Sequence, residues 1–92
     1  MKIETEDRKY VLRFFRVQAK VSQLLLEQEP GLSKEARECL QKHHDYCAEC
    51  HRLLLKKKLT VPDRPDIPAF TESVCEEIQN AIKRRMGVLG NA

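Results

Sequence analysis

The chain has 92 residues, of which 41% are hydrophobic and 34% charged, and its aromatic residues are two Tyr and three Phe. Seventeen Lys and Arg against 14 Asp and Glu leave a formal charge of +3, too mild for a dedicated nucleic-acid arm. This length sets a single small domain that is marginally stable unless something staples it. It also contains no apolar run longer than three residues, as at Leu24–Leu26, so no segment is expected to cross a bilayer.

The first 30 residues have no apolar h-region, so no secretory leader is expected and the location should be cytoplasmic. Three Gly, four Pro and the lack of an internal repeat exclude collagen-like and solenoid architectures. Period-2 alternation of β-branched residues is absent, so no strands are predicted.

Four helices are expected in an all-α fold. The first spans about residues 5–28, where Tyr10, Phe14, Val17, Val21 and Leu24 fall at steps of four, three, four and three. That spacing draws one apolar stripe, widened by Phe15 and Leu25, and Pro30-Gly31 ends it. Ser33 is a good N-cap for the second helix, with Glu35 suited to its first turn. Leu32, Ala36, Cys39, Leu40 and His43 share one side of it. A third helix should open near Cys47 and run through Leu53 and Leu54 into Lys56, Lys57 and Lys58, three cations suited to a helix C-terminus. Residues 60–68 hold three of the prolines and read as a stiff linker. The fourth helix covers about residues 71–86, with Phe70, Val74, Ile78 and Ile82 repeating every four residues and Gly87 as its stop. The expected units are therefore a three-helix module at 1–59, a Pro-rich linker at 60–69, and an amphipathic helix with a tail at 70–92.

The chemistry is concentrated in Cys39-Leu-Gln-Lys-His43-His44-Asp-Tyr-Cys47-Ala-Glu-Cys50-His51, which holds three of the four cysteines and all three histidines. The run His43-x3-Cys47-x2-Cys50 suits a tetrahedral soft-metal site, because two cysteines three apart and a residue one turn earlier can point at one ion. Thiolate and imidazole donors favour zinc. Cys39, four residues before His43, leads as the fourth ligand, with His51 and Cys75 as weaker candidates. A straight helix would spread Cys39 and Cys50 over ~16 Å, so a shared site requires a bend between His43 and Cys47. His44 should point elsewhere, into solvent.

The run Gly31-Leu-Ser-Lys-Glu-Ala36, followed by His43-x3-Cys47-x2-Cys50, resembles the zinc-binding anti-sigma factor family. The later Pro65-Asp-Ile-Pro-Ala-Phe70 and its amphipathic helix are similar to the segment that follows the zinc module there, so the resemblance covers roughly residues 17–86. It implies a three-helix module wedged between the two principal domains of an extracytoplasmic-function sigma factor, with the fourth helix wrapping the first of them so that RNA polymerase cannot bind. One departure matters. The family usually supplies a metal ligand from the first helix, some 25 residues before the motif His, and here that neighbourhood is Arg16, Val17 and Gln18. Leu53, Leu54, Val74, Ile78 and Ile82 are the expected partner-binding side chains, in a helix-in-groove mode. Cys47 and Cys50 at a helix N-terminus should have lowered thiol pKa values and serve as a redox pair.

Two other readings compete. Cys47-Ala-Glu-Cys50-His51 is also the c-type haem attachment pattern, with His51 proximal and Met86 distal. A generic zinc-stapled interaction or DNA-binding module would use Lys56–Lys58 and Lys83–Arg85 on phosphates. No Ser/His/Asp order, glycine-rich loop or paired carboxylates suggest an enzyme.

Overall fold

The structure is a computed structural model that describes residues 1–90, with side-chain environments to Met86. The end of the predicted 70–92 unit, residues 91–92, lies outside the described residues. The fold is all-helical, with three long helices: α1 (Arg8–Gln28), α2 (Lys34–Leu55) and α3 (Glu72–Gly90), and one 3-10 turn at Thr5–Asp7 before α1.

The four-helix expectation is corrected here. The predicted second and third helices are one continuous α2, with no bend between His43 and Cys47. The bend was required by a shared metal site, and nothing in the local sequence calls for it: His43-His44-Asp45-Tyr46-Cys47 contains neither Gly nor Pro. Ser33 does cap α2 as predicted, its Oγ accepting from the Ala36 N–H at 3.1 Å. The last helix does not stop at Gly87 but continues to Gly90.

The far end of α2 closes in a Schellman motif. The Lys57 N–H donates to the Leu54 carbonyl and the Lys58 N–H to the Leu53 carbonyl, both at 3.0 Å. Lys57 itself takes φ 63°, a left-handed conformation costly for a residue with a Cβ. The Arg8 guanidinium also donates to the Leu54 carbonyl, from Nη2 at 2.6 Å. Replacing Lys57 by Gly should therefore raise stability by about 0.5–1 kcal/mol, read as a rise of several degrees in Tm by circular dichroism.

α1 and α2 form an antiparallel hairpin joined at residues 29–33. The joint is tied by Arg37, whose Nη1 and Nη2 donate to the carbonyls of Leu26 and Glu29 at 3.2 and 2.9 Å. The core is divided in two. One cluster, near the joint, gathers Leu25, Leu32, Ala36, Cys39 and Leu40 with Val74 and Ala81 of α3. The other, at the open end of the hairpin, gathers Phe15, Cys47, Cys50 and Leu54 with Ile3 and Val61. Ile3 and Val61 meet because the N-terminal residues pair with the segment after α2: the Ile3 N–H donates to the Leu59 carbonyl at 2.7 Å and the Val61 N–H to the Met1 carbonyl at 2.9 Å.

The packing of α1 shifts the expected inward face: Phe15 and Leu25, which widen the predicted stripe, are buried and Val21 packs against the joint cluster, but the rest of the stripe turns outward. Its inward face carries Val11, Phe15, Ala19, Ser22 and Leu25. On the predicted core stripe, Tyr10 is 87% exposed, Phe14 55%, Val17 50% and Leu24 40%. The radius of gyration, 14.5 Å, exceeds the ~12 Å of a compact chain of this length, in keeping with an open, flat arrangement.

α3 lies against the joint end. Its N-terminus is capped by Thr71, whose Oγ1 accepts from the Val74 N–H at 3.2 Å. The Glu77 carboxylate grips the start of α2, accepting from the Ser33 N–H at 2.6 Å and the Ser33 hydroxyl at 2.8 Å. Arg85 reaches back to Glu29 at 3.2 Å. The backbone and hydroxyl hydrogen bonds from Ser33 hold the Glu77 carboxyl below its ordinary value of 4.5. A depressed carboxyl pKa gives stability that is present above the unfolded value and lost as pH falls through the folded one. The docking of α3 should thus weaken below about pH 4.5, and Glu77→Gln should flatten that acid limb in a Tm-against-pH series.

Candidate functional site

The predicted ligand residues all lie on α2, but a continuous helix separates them. Cys39 belongs to the joint cluster. Cys47 and Cys50 are buried in the other. His43 lies between the two clusters, half-buried, with its Nε2–H donating to Gln18 Oε1 at 3.1 Å. The Cys47 Sγ stands 3.6 Å from His43 Nε2. Thus His43 and Cys47 meet, and Gln18 of α1 joins them from the neighbourhood 25 residues before the motif His. Together with the buried Ser22, Gln18 and His43 form a polar layer between two apolar ones.

The fit to a metal is limited by the helix. Tetrahedral zinc needs four donors about 2.0–2.3 Å from one point. His43, Cys47, Cys50 and Cys39 do not gather in that way, and among the described residues no group of three or more His, Cys, Asp or Glu side chains forms a metal-binding arrangement. His51 is half-buried farther along α2, and Cys75 is on α3. His44 is also half-buried rather than solvated, 3.3 Å from Asp45.

The thiols differ from the redox expectation as well. Cys47 opens no helix; it is fourteen positions into α2, so no helix N-terminus lowers its pKa. Burial, followed by the charge of Cys50, pushes the Cys47 thiol from 9.0 up to about 11. Cys39 and Cys50 are also raised, chiefly by burial. His43 is lowered by burial and then by the nearby Arg64, which keeps its imidazole neutral. Tyr46 is pushed up to about 12, first by burial, and its hydroxyl donates to the Pro62 carbonyl at 2.9 Å.

A cavity of about 430 Å³ opens beside this polar layer, between α1, α2, the linker and α3. Gln18, Cys39, His43 and Cys75 reach it amid an apolar lining that includes Leu40, Phe70, Ile78 and Ile82. Its volume is in the range of small-ligand sites, and it is half-open to solvent.

The predicted partner-binding side chains are placed inward. Leu54 and Val74 are buried, and Leu53, Ile78 and Ile82 pack against the two clusters. The residues that sequence reasoning missed are the exposed ones on α1, because a 4-3-4-3 apolar stripe is read as core by default.

The competing readings meet specific obstacles. Haem attachment at Cys47 and Cys50 requires two accessible sulfurs, whereas both lie inside a cluster. In the second basic run, Arg84 and Arg85 engage Glu29, while Lys56–Lys58 close α2. No helix among the described residues is long and apolar enough to cross a membrane. Comparison with family models, with curated proteins and with solved structures finds no match to this chain.

Proposed function

We propose that the chain is a sequestering module of the anti-sigma type, which masks helical surfaces of an extracytoplasmic-function sigma factor. The observation that favours it is the seating of α3. This helix follows a proline-stiffened linker and sits across a half-open apolar cavity of about 430 Å³, held by Glu77 at one end and Arg85 at the other. Swinging α3 away uncovers Val74, Ile78 and Ile82 on the helix and Leu25, Cys39 and Leu40 beneath it. A partner helix then finds two apolar surfaces, one on each side of the cavity. Glu77 and Arg85 are exchangeable polar anchors, so opening costs far less than unfolding the hairpin.

The reading does not call on zinc, since the hairpin is held by its own two clusters. The test is co-purification of the full chain with each sigma factor of its host, followed by transcription assays with the captured one. One sigma factor should be retained, and its transcription should fall when the chain is added. Retention of none would refute the reading. Val74→Asp, Ile78→Asp and Ile82→Asp should each release the partner.

A further inference from the structure

The outward stripe of α1 is a second apolar surface, which meets the α3 cavity only at Val21. We propose that Tyr10, Phe14, Val17, Val21 and Leu24 form a docking seam for one amphipathic helix of a partner protein, a helix whose apolar edge is flanked by Asp and Glu. This inference does not depend on the sigma-factor reading.

Three features define the occupant. First, the seam residues follow steps of four and three, the knobs-into-holes spacing of helix-on-helix packing. They lie within roughly 80° around α1 and extend over ~21 Å, which suits a partner helix of about four turns. Four of the five are exposed, whereas soluble chains rarely leave large contiguous apolar strips in water.

Second, one edge of the seam is cationic. Lys9, Arg13, Arg16 and Lys20 are exposed and lie roughly 40–100° to one side of Val17. No ion pair engages any of the four among the described residues. Acidic residues flanking the partner's seam would meet them. The other edge is the body of the protein.

Third, the seam runs into a groove. Val21 and Leu24 continue into a space of about 740 Å³ between α1 and α3, lined also by Leu25, Ile82 and Met86. The end of a docked helix is received there.

These features also rank the other occupants. A second copy would bring its own cationic edge, and like charges would face each other across an antiparallel seam. A membrane surface favours a wide apolar face with cations on both sides, but here the cations lie on one side of a narrow strip.

The probe is a labelled synthetic 21-residue helical peptide with Leu and Ile on its seam and Glu on both flanks. A matched peptide has Lys on the flanks. Fluorescence anisotropy with the full chain should show the Glu peptide binding at least about tenfold tighter than the Lys peptide, and more weakly as salt rises. Val17→Asp should cost at least about tenfold without changing Tm, because Val17 is exposed. The pair Arg13→Glu and Lys20→Glu should reverse the peptide preference.

Four results would each overturn the proposal. They are no binding of the Glu peptide at about 100 µM, equal binding of both peptides, a dimer in sedimentation that Val17→Asp dissociates, and binding to anionic vesicles in place of the Glu peptide.

Discussion

Leu54→Ala should cost about 3 kcal/mol and lower Tm by more than 10 °C, whereas Leu55→Ala next to it should change stability by less than about 0.5 kcal/mol. Leu54 is fully buried and Leu55 is 56% exposed, so the two variants differ only in where one turn of α2 points them. Leu54 sits against Phe15, Ile3 and Val61. Truncation leaves a cavity that these rigid neighbours fill only in part. A small domain holds about 5–15 kcal/mol in total, so this loss is a large share. Thermal melts of the two variants with the parent decide it; equal shifts would remove Leu54 from the core. The same comparison separates folding from binding, since a partner lost on Leu54→Ala is lost through the fold.

Labelling by a thiol reagent should be strongly uneven. Cys47 is raised from 9.0 to about 11, two pH units, which lowers its thiolate fraction near neutral pH about a hundredfold. Burial adds a steric barrier for Cys39, Cys47 and Cys50, while Cys75 is partly accessible. Titration of the native protein should therefore label one thiol per chain quickly and the other three only on unfolding. Mass mapping should identify the fast one as Cys75. Rapid labelling of Cys47 or Cys50 in the folded protein would instead restore a redox role for that pair.

The sequence made some of this plain and concealed the rest for physical reasons. The Ser33 cap, the joint at Pro30-Gly31 and the proline-rich linker are local signals, and local chemistry settles them. The inward face of α1 is different. Two apolar stripes share that helix, and the buried one is interrupted by Ala19 and Ser22, small side chains that suit close helix contact and weaken its apolar signal. The outer stripe is the more regular of the two and therefore the more conspicuous. A bend in α2 follows only if His43, Cys47, Cys50 and Cys39 share one ion, and the stretch between them contains no helix breaker. The pairing of residues 1–3 with 59–61 leaves no local trace, because it joins segments far apart in the chain.

The division of the interior by Gln18, Ser22 and His43 bears on how the molecule breathes. Apolar contact is what couples one part of a small protein to another, and here a polar layer interrupts it. The end that holds Phe15 and Leu54 can stay closed while the end beneath the last helix opens. Amide exchange should then proceed in two tiers, fast in α3 and the linker, slow in the middle of α1 and the C-terminal half of α2. Sub-global opening of this kind would give the protein a ready receptive form without any loss of its scaffold.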